Sequence, residues 1–346
     1  MKNNNKSKSV ETESKQQSKI ISVEKDFNGN LEDAIASADD GDVVKLGAEV
    51  YRTNGISIDK DITIDGRRGT VIDGRGTSNA IFTLDSAASG TTIRDLEITN
   101  AGTGIFGDGA TDLTLRNLEI HDIGNDEIVR GGEENTAIAL THADGFEIYN
   151  SDIYNVSKKG VGINDTDGGI VSGLSIQDIN LEAEHGQSLN AGGIKLFNTN
   201  EVTVSNNDLS NINAFYIWND LTNSTIIEDN YITGVGEDFL APEFNNMVTV
   251  SGIYNEKSFE SIVRGNFGEA VGDFLAFDAT EFSTETMILE DNDFSSMEIN
   301  STDFWANEEL ETIVAITEDP KEAGFELFAD SFFEREDSVL NVFDAE

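Results

Sequence analysis

The sequence contains no cysteine, 2 prolines and 3 histidines among its 346 residues. Without cysteine the chain has no disulfide framework, and cysteine usage therefore says nothing about its redox compartment. No apolar run approaches the length of a membrane span. The first residues, Met1 to Lys19, lack the apolar core of a secretory signal. We therefore expect that the protein stays inside the cell or is exported by a route that does not read such a signal.

Basic residues are also scarce, because 22 Lys and Arg stand against 66 Asp and Glu, a formal net charge of -44. This charge would repel phosphates, which excludes nucleic acid as a partner. An acidic surface of this kind indicates high solubility, binding of divalent cations or a salty environment. Most of the carboxylates are expected to form a solvated coat.

One short pattern, exemplified by LEIHDIG from Leu118 to Gly124, returns along the chain. Each copy has an apolar residue third, a polar turn after it, and in most copies a small apolar residue sixth. The third positions are separated by 22, 33, 23, 33, 23, 35 and 27 residues, which is typical of a solenoid. These positions are Ile98, Ile120, Ile153, Ile176, Leu209 and Ile232, followed more loosely by Phe267 and Phe294.

Short segments with alternating apolar and polar residues, bounded by Asn, Asp and Gly, lie between the copies. Period-two alternation predicts strands. A leucine-rich repeat has a similar length but needs a fixed Leu and Asn frame, which is absent. The pattern therefore predicts an all-β fold, a right-handed parallel β-helix with two or three strands in each coil.

The chain divides into three expected regions. Residues 1–19 are polar and predict a disordered tail. Residues 20–297 form the β-helix, whose open end we expect to be capped by a short amphipathic helix from Leu31 to Ala38. Residues 298–346 predict a C-terminal cap and an acidic tail.

The stretch from Ala34 to Gly76, AIASADDGDVVKLGAEVYRTNGISIDKDITIDGRRGTVIDGRG, together with the coils behind it, resembles the pectin-lyase-like β-helix superfamily. The resemblance extends over roughly Ile20 to Met297. That superfamily includes pectate and alginate lyases, chondroitinase B, polygalacturonases and mannuronan C5-epimerases. The resemblance implies an enzyme that acts on polysaccharides, and it is more specific for the fold than for the reaction.

Three longer segments interrupt the repeat at the same point of the coil, before the strand that begins the next one: Asn125 to Thr136, Leu181 to Gly192 and Glu237 to Met247. Stacked together, they should form a wall beside a flat sheet, and hence a groove. Aligning the coils predicts two outward rows and a row of turn residues on that sheet. The rows are Phe106, Ala139, Gly162, Lys195, Tyr216; Asp108, Thr141, Asn164, Phe197, Trp218; and His142, Asp165, Asn198, Asn219.

Exposed aromatic rings beside carboxamides and cations are what a sugar ring needs, because its C–H face stacks while its hydroxyls form hydrogen bonds. The alternative is that the inserted segments cover these rings as a second small core. The predicted substrate-binding residues are Phe197, Trp218, Asn164, His142, Lys158, Lys159, Arg130, Asn198 and Asn219.

Uronate lyases and epimerases need a group that neutralises the substrate carboxylate, a base that removes the C5 proton, and an acid. The resemblance implies Lys195 as the base or neutralising group, Tyr216 as the acid, and His185 as a contribution from an insertion. The alternative for a lysine among acidic residues is a surface ion pair. Hydrolysis by the paired Asp165 and Asp167 stays open.

Clustered carboxylates also predict a calcium site, since Ca²⁺ prefers hard oxygen ligands. The predicted ligands are Glu133, Glu134, Asp165, Asp167, Glu182 and Glu184. The sequence therefore favours an extracellular or cell-surface lyase or C5-epimerase acting on a uronate polysaccharide. The alternative is a non-catalytic, calcium-stabilised adhesin, matrix or surface protein.

Overall fold

The computed structural model of the protein describes residues 18–124, 135–181, 190–213, 215–234, 239–241, 246–248, 251–256, 258, 260–269, 273–278, 286–290, 292, 298–300, 312–317 and 339–344. Its helices are α1 (Val23–Phe27) and α2 (Leu31–Ala36), with a single 3-10 turn at Ser86–Ala88. The strands up to the last uninterrupted coil are β1 (Ile20–Ser22), β2 (Val43–Lys45), β3 (Val50–Arg52), β4 (Ile56–Ile58), β5 (Thr63–Asp65), β6 (Val71–Leu84), β7 (Thr92–Asp108), β8 (Thr114–Ile123), β9 (Thr136–Thr141), β10 (Phe146–Tyr149), β11 (Asp152–Val156), β12 (Lys159–Asn164), β13 (Asp167–Ser172), β14 (Ser175–Ile179), β15 (Gly192–Phe197), β16 (Asn200–Ser205), β17 (Asp208–Ile212), β18 (Phe215–Asp220), β19 (Ile226–Glu228) and β20 (Tyr231–Thr233).

Ten further strands follow, and three of them lie beyond residue 297 and continue the parallel pairing. They are β21 (Phe239–Ala241), β22 (Asn246–Val248), β23 (Ser251–Glu256), β24 (Ser261–Arg264), β25 (Phe267–Glu269), β26 (Asp273–Asp278), β27 (Thr286–Glu290), β28 (Glu298–Asn300), β29 (Thr312–Thr317) and β30 (Val339–Asp344). β21 and β22 form an antiparallel pair within the third predicted insertion. The domain boundaries proposed from the sequence stay predictions.

The strands pair in parallel from coil to coil and form three faces, which confirms the predicted parallel β-helix. Sheet A contains β4, the end of β6, the end of β7, β9, β12, β15, β18, β23, β26 and β28. Sheet B contains β1, β2, β5, the starts of β7 and β8, β10, β13, β16, β19, β24, β27, β29 and β30. Sheet C contains β3, the start of β6, the middle of β7, the end of β8, β11, β14, β17, β20 and β25.

The apolar third positions of the repeat lie in sheet C and point into the core. Successive members pair coil by coil, from Ile98 to Ile232, and all six are fully buried. Burying each such side chain contributes about 1.5–3 kcal/mol. The looser extension to Phe267 was wrong, because Gly268 pairs with Ile232 and Phe267 lies on the outer face opposite Tyr231.

The predicted N-terminal helix is confirmed as α2, with Asn30 as its N-cap accepting a hydrogen bond from the amide of Asp33. α2 buries Leu31 and Ile35 against the first coils. The short α1 was not predicted, because its five residues bury only Val23 and leave no periodic pattern. The two helices therefore lie where the core would otherwise be open.

A ladder of buried asparagines runs along the turn between sheets B and C. The side-chain amides of the first three each donate to the side-chain oxygen of the next asparagine and to a backbone carbonyl of the preceding coil, and the amide of the last donates to a backbone carbonyl. This satisfies polar groups that would otherwise be buried without partners. The ladder comprises Asn207, Asn230, Asn266 and Asn292.

Candidate functional site

The outer face of sheet A carries the two predicted rows as far as β15. In the first row Ala139 pairs with Gly162 and Gly162 with Lys195; in the second, Asn164 pairs with Phe197. The register predicted for β18 was wrong by two residues, since Lys195 pairs with Trp218 and Phe197 with Asp220. The rows continue to Tyr254 and Glu256 on β23. As a result, Tyr216, Trp218 and Asn219 change position, and Asp220, Tyr254 and Glu256 enter the site.

Tyr216 lies in the hydrophobic core and is 0% exposed. Its backbone carbonyl lies over Gly193, where a Cβ would come within 2.6 Å of that oxygen and within 2.8 Å of the Ile212 and Leu209 side chains. The Tyr216 hydroxyl accepts from the amide of Ile212 at 3.4 Å and donates to the carbonyl of Gly234 at 3.5 Å. Its pKa is raised by burial. The prediction that Tyr216 is the acid of the site was therefore wrong, because its side chain lies in the core.

Asn219 also points inward. It is fully buried, its amide donates to Asn255 Oδ1 at 3.0 Å, and its carbonyl oxygen accepts from the Thr222 hydroxyl at 2.8 Å. The prediction that Asn219 binds substrate from the turn row was wrong for the same reason of register. Leu221 takes that position, since its amide continues the backbone ladder to Glu256.

A compact group of side chains surrounds Lys195, and we call it the aromatic–lysine cluster. The ammonium Nζ lies 3.2 Å from Asp220 Oδ2, 3.2 Å from Asn190 Oδ1 and 3.3 Å from the ring centroid of Trp218. These contacts combine an ion pair, a hydrogen bond and a cation–π interaction. The cluster consists of Asn190, Lys195, Phe215, Trp218, Asp220, Tyr254 and Glu256.

Three aromatic rings close the cluster on one side. The Phe215 ring stacks on Tyr254 at 4.5 Å and meets the edge of Trp218 at 4.6 Å. Trp218 Nε1 donates to Glu256 Oε2 at 3.2 Å. Tyr254 therefore connects two successive coils, and Trp218 links the lysine to a second carboxylate.

Burial lowers the pKa of Lys195, while the nearby Asp220 carboxylate opposes this effect and Lys159 adds to it. Lys195 is 7% exposed and its partner Asp220 is equally buried. A buried ammonium next to a buried carboxylate is tolerated because each compensates the desolvation of the other. The sequence alternative of a surface ion pair was wrong in one respect, because this ion pair is buried.

The aromatic rings are less open than predicted. Trp218 is 8% exposed and Phe215 and Tyr254 are similarly covered, whereas Phe197 and Asn164 are half-buried. The Phe197 ring lies 5.6 Å from Lys195 Nζ. The accessible margin of the cluster is therefore formed by Phe197, Asn164 and the half-buried Glu256.

The predicted turn row is present for its first three members. The amides of His142, Asp165 and Asn198 each donate to a carbonyl of the next coil, and all three residues have a positive φ. His142 Nδ1 lies 3.0 Å from Asp108 Oδ1, and this hydrogen bond raises the pKa of His142. The Asn198 amide donates to Asp165, so the row is linked by side chains as well.

Lys158 and Lys159 were predicted to bind substrate from the surface, but each is only 1% exposed. Lys159 begins β12 and pairs with Thr136 and Gly192, which places its backbone at the inserted edge of sheet A. Their burial contradicts the prediction that they bind substrate. The positive charge of Lys159 instead acts on Lys195.

The remaining predicted residues fall on parts of the chain that the structure does not describe. These are Arg130, Glu133, Glu134, Glu182, Glu184 and His185. Of the predicted calcium ligands, Asp165 and Asp167 are described, and they accept hydrogen bonds from Asn198 and Asn200. Within the described residues, no group of three or more His, Asp or Glu side chains could hold a metal ion. Calcium stays a prediction.

Sequence reasoning missed Asp220, Tyr254 and Glu256. A signal was available, because Ile217 to Asp220 reads Ile-Trp-Asn-Asp and Ile253 to Glu256 reads Ile-Tyr-Asn-Glu. Aligning these two segments sets the register that the structure shows. The inward Asn219 and Asn255 then follow directly from the alternation.

A family model described as a right-handed beta helix region matches residues 55–230 and 103–271. A search of curated proteins finds no match. No helix in the described parts of the chain is long and apolar enough to cross a membrane.

Several solved structures with a similar fold are named as enzymes or as enzymatically active domains. The enzymatically active domain of tailspike protein 2 from bacteriophage CBA120 has a TM-score of 0.57 and 9% identity over 82% of this chain, which spans 44% of that domain. The catalytic domain of a GH87 α-1,3-glucanase has a TM-score of 0.54 and 14% identity, over 88% of this chain and 66% of its own. An alginate lyase from Paenibacillus sp. str. FPU-7 has a TM-score of 0.52 and 15% identity, over 82% of this chain and 98% of its own. At these identities the likeness shows the fold.

Proposed function

Because the chain belongs to the right-handed β-helix family, we propose that it is a carbohydrate-active enzyme that hydrolyses glycosidic bonds at the aromatic–lysine cluster. Structural neighbours named as a glucanase and as a lacto-N-biosidase support a role in glycan cleavage. Fold alone does not assign a reaction, so the proposal depends on the chemistry of the cluster.

The observation that carries the proposal is the pair of carboxylates Asp220 and Glu256. They occupy the same register position on neighbouring coils of sheet A, so their Cα atoms are about 4.8 Å apart. Glycoside hydrolysis uses two carboxyl groups, one as an acid for the leaving oxygen and one as a nucleophile or base. Neighbouring coils of a solenoid provide such a pair without any loop.

The environments of these carboxylates differ, which assigns them different roles. Asp220 contacts the Lys195 ammonium, whose charge compensates the burial of the Asp220 anion. Glu256 accepts a hydrogen bond from the neutral Trp218 indole and is half-buried, and so more accessible than Asp220. We assign Asp220 as the nucleophile or base, and Glu256 as the acid that protonates the leaving oxygen.

The test is the release of reducing ends from a panel of neutral and acidic polysaccharides by the wild type, Asp220→Asn and Glu256→Gln. Each variant keeps the size of the side chain, and loss of an acid or base costs roughly 10²–10⁴ in rate. Glu147→Gln, on the outer face of sheet B, is the matched control and should keep full activity. Unchanged rates in both cluster variants would exclude hydrolysis by this pair.

A second candidate is the lyase or C5-epimerase that the sequence predicts, acting on a uronate polysaccharide. Its support is the lowered pKa of Lys195, which favours an amine able to act as a base, and the positive charge of neighbouring Lys159. β-Elimination creates an unsaturated uronate that absorbs in the ultraviolet. A rise in absorbance on alginate, pectate, chondroitin or hyaluronan, lost in Lys195→Ala, would replace hydrolysis by elimination.

We also propose an extracellular or cell-surface location, since polysaccharides of the kinds named for the neighbours are encountered there, and calcium as the bound ion. If no polysaccharide is altered and chelation of calcium lowers the melting temperature, the non-catalytic adhesin or matrix role is favoured instead.

A further inference from the structure

The outer face of sheet C carries a continuous row of side chains on a different side of the solenoid from the aromatic–lysine cluster. The row runs coil by coil through seven strands, from β7 to β25, in one parallel register. We call it the sheet C track. Its members are Glu97, Glu119, Asp152, Ser175, Asp208, Tyr231 and Phe267.

At its N-terminal end the track lies in a groove of about 360 Å³. Glu97, Glu119 and Asp152 line one side of the groove, and the exposed Arg67 and Arg68 line another. Both arginines carry positive charge in a chain of net charge -44. The groove therefore offers both donors and acceptors to a ligand.

Tyr154 and His121, which belong to the adjacent outward row of sheet C, hold two carboxylates of the groove in place. The Tyr154 hydroxyl donates to Glu119 Oε1 at 2.8 Å, and His121 Nε2 lies 3.1 Å from Glu97 Oε1. The His121 and Tyr154 rings stack at 4.7 Å with an interplanar angle of 2°. These contacts orient the carboxylates before a ligand arrives, which reduces the entropy cost of binding.

At the other end of the track the Tyr231 ring stacks on Phe267 at 5.0 Å with an interplanar angle of 8°. Tyr231 is 44% exposed, which is unusual for a large apolar side chain in the described part of the chain. Three coils, or about 14 Å, separate it from Asp152. An exposed ring beside polar side chains suits a ligand that has both C–H faces and hydroxyls.

We propose that the sheet C track binds a neutral, hydroxyl-rich polysaccharide strand that lies along the solenoid axis. Its hydroxyls contact the groove carboxylates and arginines, and one of its sugar rings packs against Tyr231. The track carries four carboxylates and the groove adds two guanidinium groups, so a polyanion would be repelled whereas a neutral chain would not. This site is additional to the aromatic–lysine cluster and does not depend on the reaction proposed there.

The test is native affinity electrophoresis of the full chain in gels containing dextran, mixed-linkage β-glucan or xyloglucan, with alginate as an anionic comparison. We expect at least one neutral polymer to slow the wild type and alginate not to slow it. Tyr231→Ala and Glu119→Gln should each weaken that retardation, by about tenfold for the loss of a stacked ring. Tyr149→Ala, a half-buried tyrosine on the outer face of sheet B, is the matched control and should migrate like the wild type.

Each variant is first checked by circular dichroism and melting temperature, so that only folded protein is compared. Retardation of the wild type that persists in both track variants would overturn the proposal, as would the absence of retardation by every neutral polymer. Asp220→Asn distinguishes the two sites: it should abolish hydrolysis while leaving retardation unchanged. Loss of retardation in Asp220→Asn would place binding at sheet A instead.

Discussion

The asparagine ladder makes a quantitative prediction for the variant Asn230→Ala. Asn230 is 1% exposed, and its side chain makes four hydrogen bonds. It donates to the carbonyl of Val204 at 3.0 Å and to Asn266 Oδ1 at 2.9 Å. It accepts from the amide of Asn207 at 3.1 Å and from its side-chain nitrogen at 2.9 Å.

Truncation leaves the backbone N–H of Asn207 without its acceptor and removes one donor from the Val204 carbonyl. Leaving a buried donor unsatisfied costs about 1–3 kcal/mol, and each lost bond between groups that keep another partner costs about 0.5–1.5 kcal/mol. One unsatisfied donor and three lost bonds together lower the expected free energy of unfolding of Asn230→Ala by about 2.5–7.5 kcal/mol. For 346 residues, with an unfolding entropy of about 2.1 cal/mol/K per residue, this is about 3–10 °C in melting temperature.

The assay is chemical and thermal unfolding of the wild type, Asn230→Ala and the control Asn200→Ala. Asn200 is also an asparagine with negative φ, but it is on the outside, where its amide donates to Asp167. Its loss should change stability by no more than about 0.5 kcal/mol. Hydrogen exchange at the amide of Asn207 should accelerate only in Asn230→Ala. Equal stabilities of the two variants would refute the assignment of the ladder as a stabilising element.

Three further predictions concern titratable groups. The hydrogen bond to Asp108 raises the pKa of His142, so NMR titration should place this pKa above 6.5 in the wild type and lower in Asp108→Asn. The contact stabilises the fold at low pH, and this stabilisation is lost as the pH rises through the folded-state pKa. Burial, together with Glu119, raises the pKa of Tyr154 from 10.0 to about 12, so ultraviolet titration should show a phenol that ionises at this high pH in the wild type and at a lower pH in Glu119→Gln. Burial lowers the pKa of Lys195, so the unfolded chain binds the lysine proton more tightly than the folded chain does. The stability of the wild type relative to Lys195→Met should therefore rise as the pH increases from the lowered pKa toward 10.5. A stability difference that does not change with pH would contradict the lowered pKa.

The architecture was predictable from the sequence because its determinants are local. Successive side chains of a strand point to opposite faces, so the six apolar third positions from Ile98 to Ile232 identify the core side of each coil without knowledge of its neighbours. The helical spacing of apolar residues between Leu31 and Ala38 similarly predicted the capping helix. The polar turns between strands separated one coil from the next.

The candidate site was only partly predictable. Lys195, Phe197, Asn164 and Trp218 lie on the outer face of sheet A as expected, but Tyr216 and Asn219 point inward. Two of the missed residues, Asp220 and Glu256, are the ones on which the proposed chemistry depends. Their order along each strand was visible in the sequence, whereas the register that pairs Asp220 with Phe197 and brings its carboxylate to Lys195 was not.

What the sequence determined by itself is therefore the composition of each coil: which residues alternate and where the chain turns. What only the tertiary structure decided is how one coil lies on the next. That register depends on contacts between residues 23 to 36 positions apart, such as the 3.2 Å ion pair between Lys195 and Asp220. The spacing of the repeat allows a shift of two residues between β15 and β18, and it does not show that Tyr216 departs from the alternation and enters the core, because packing between coils decides both.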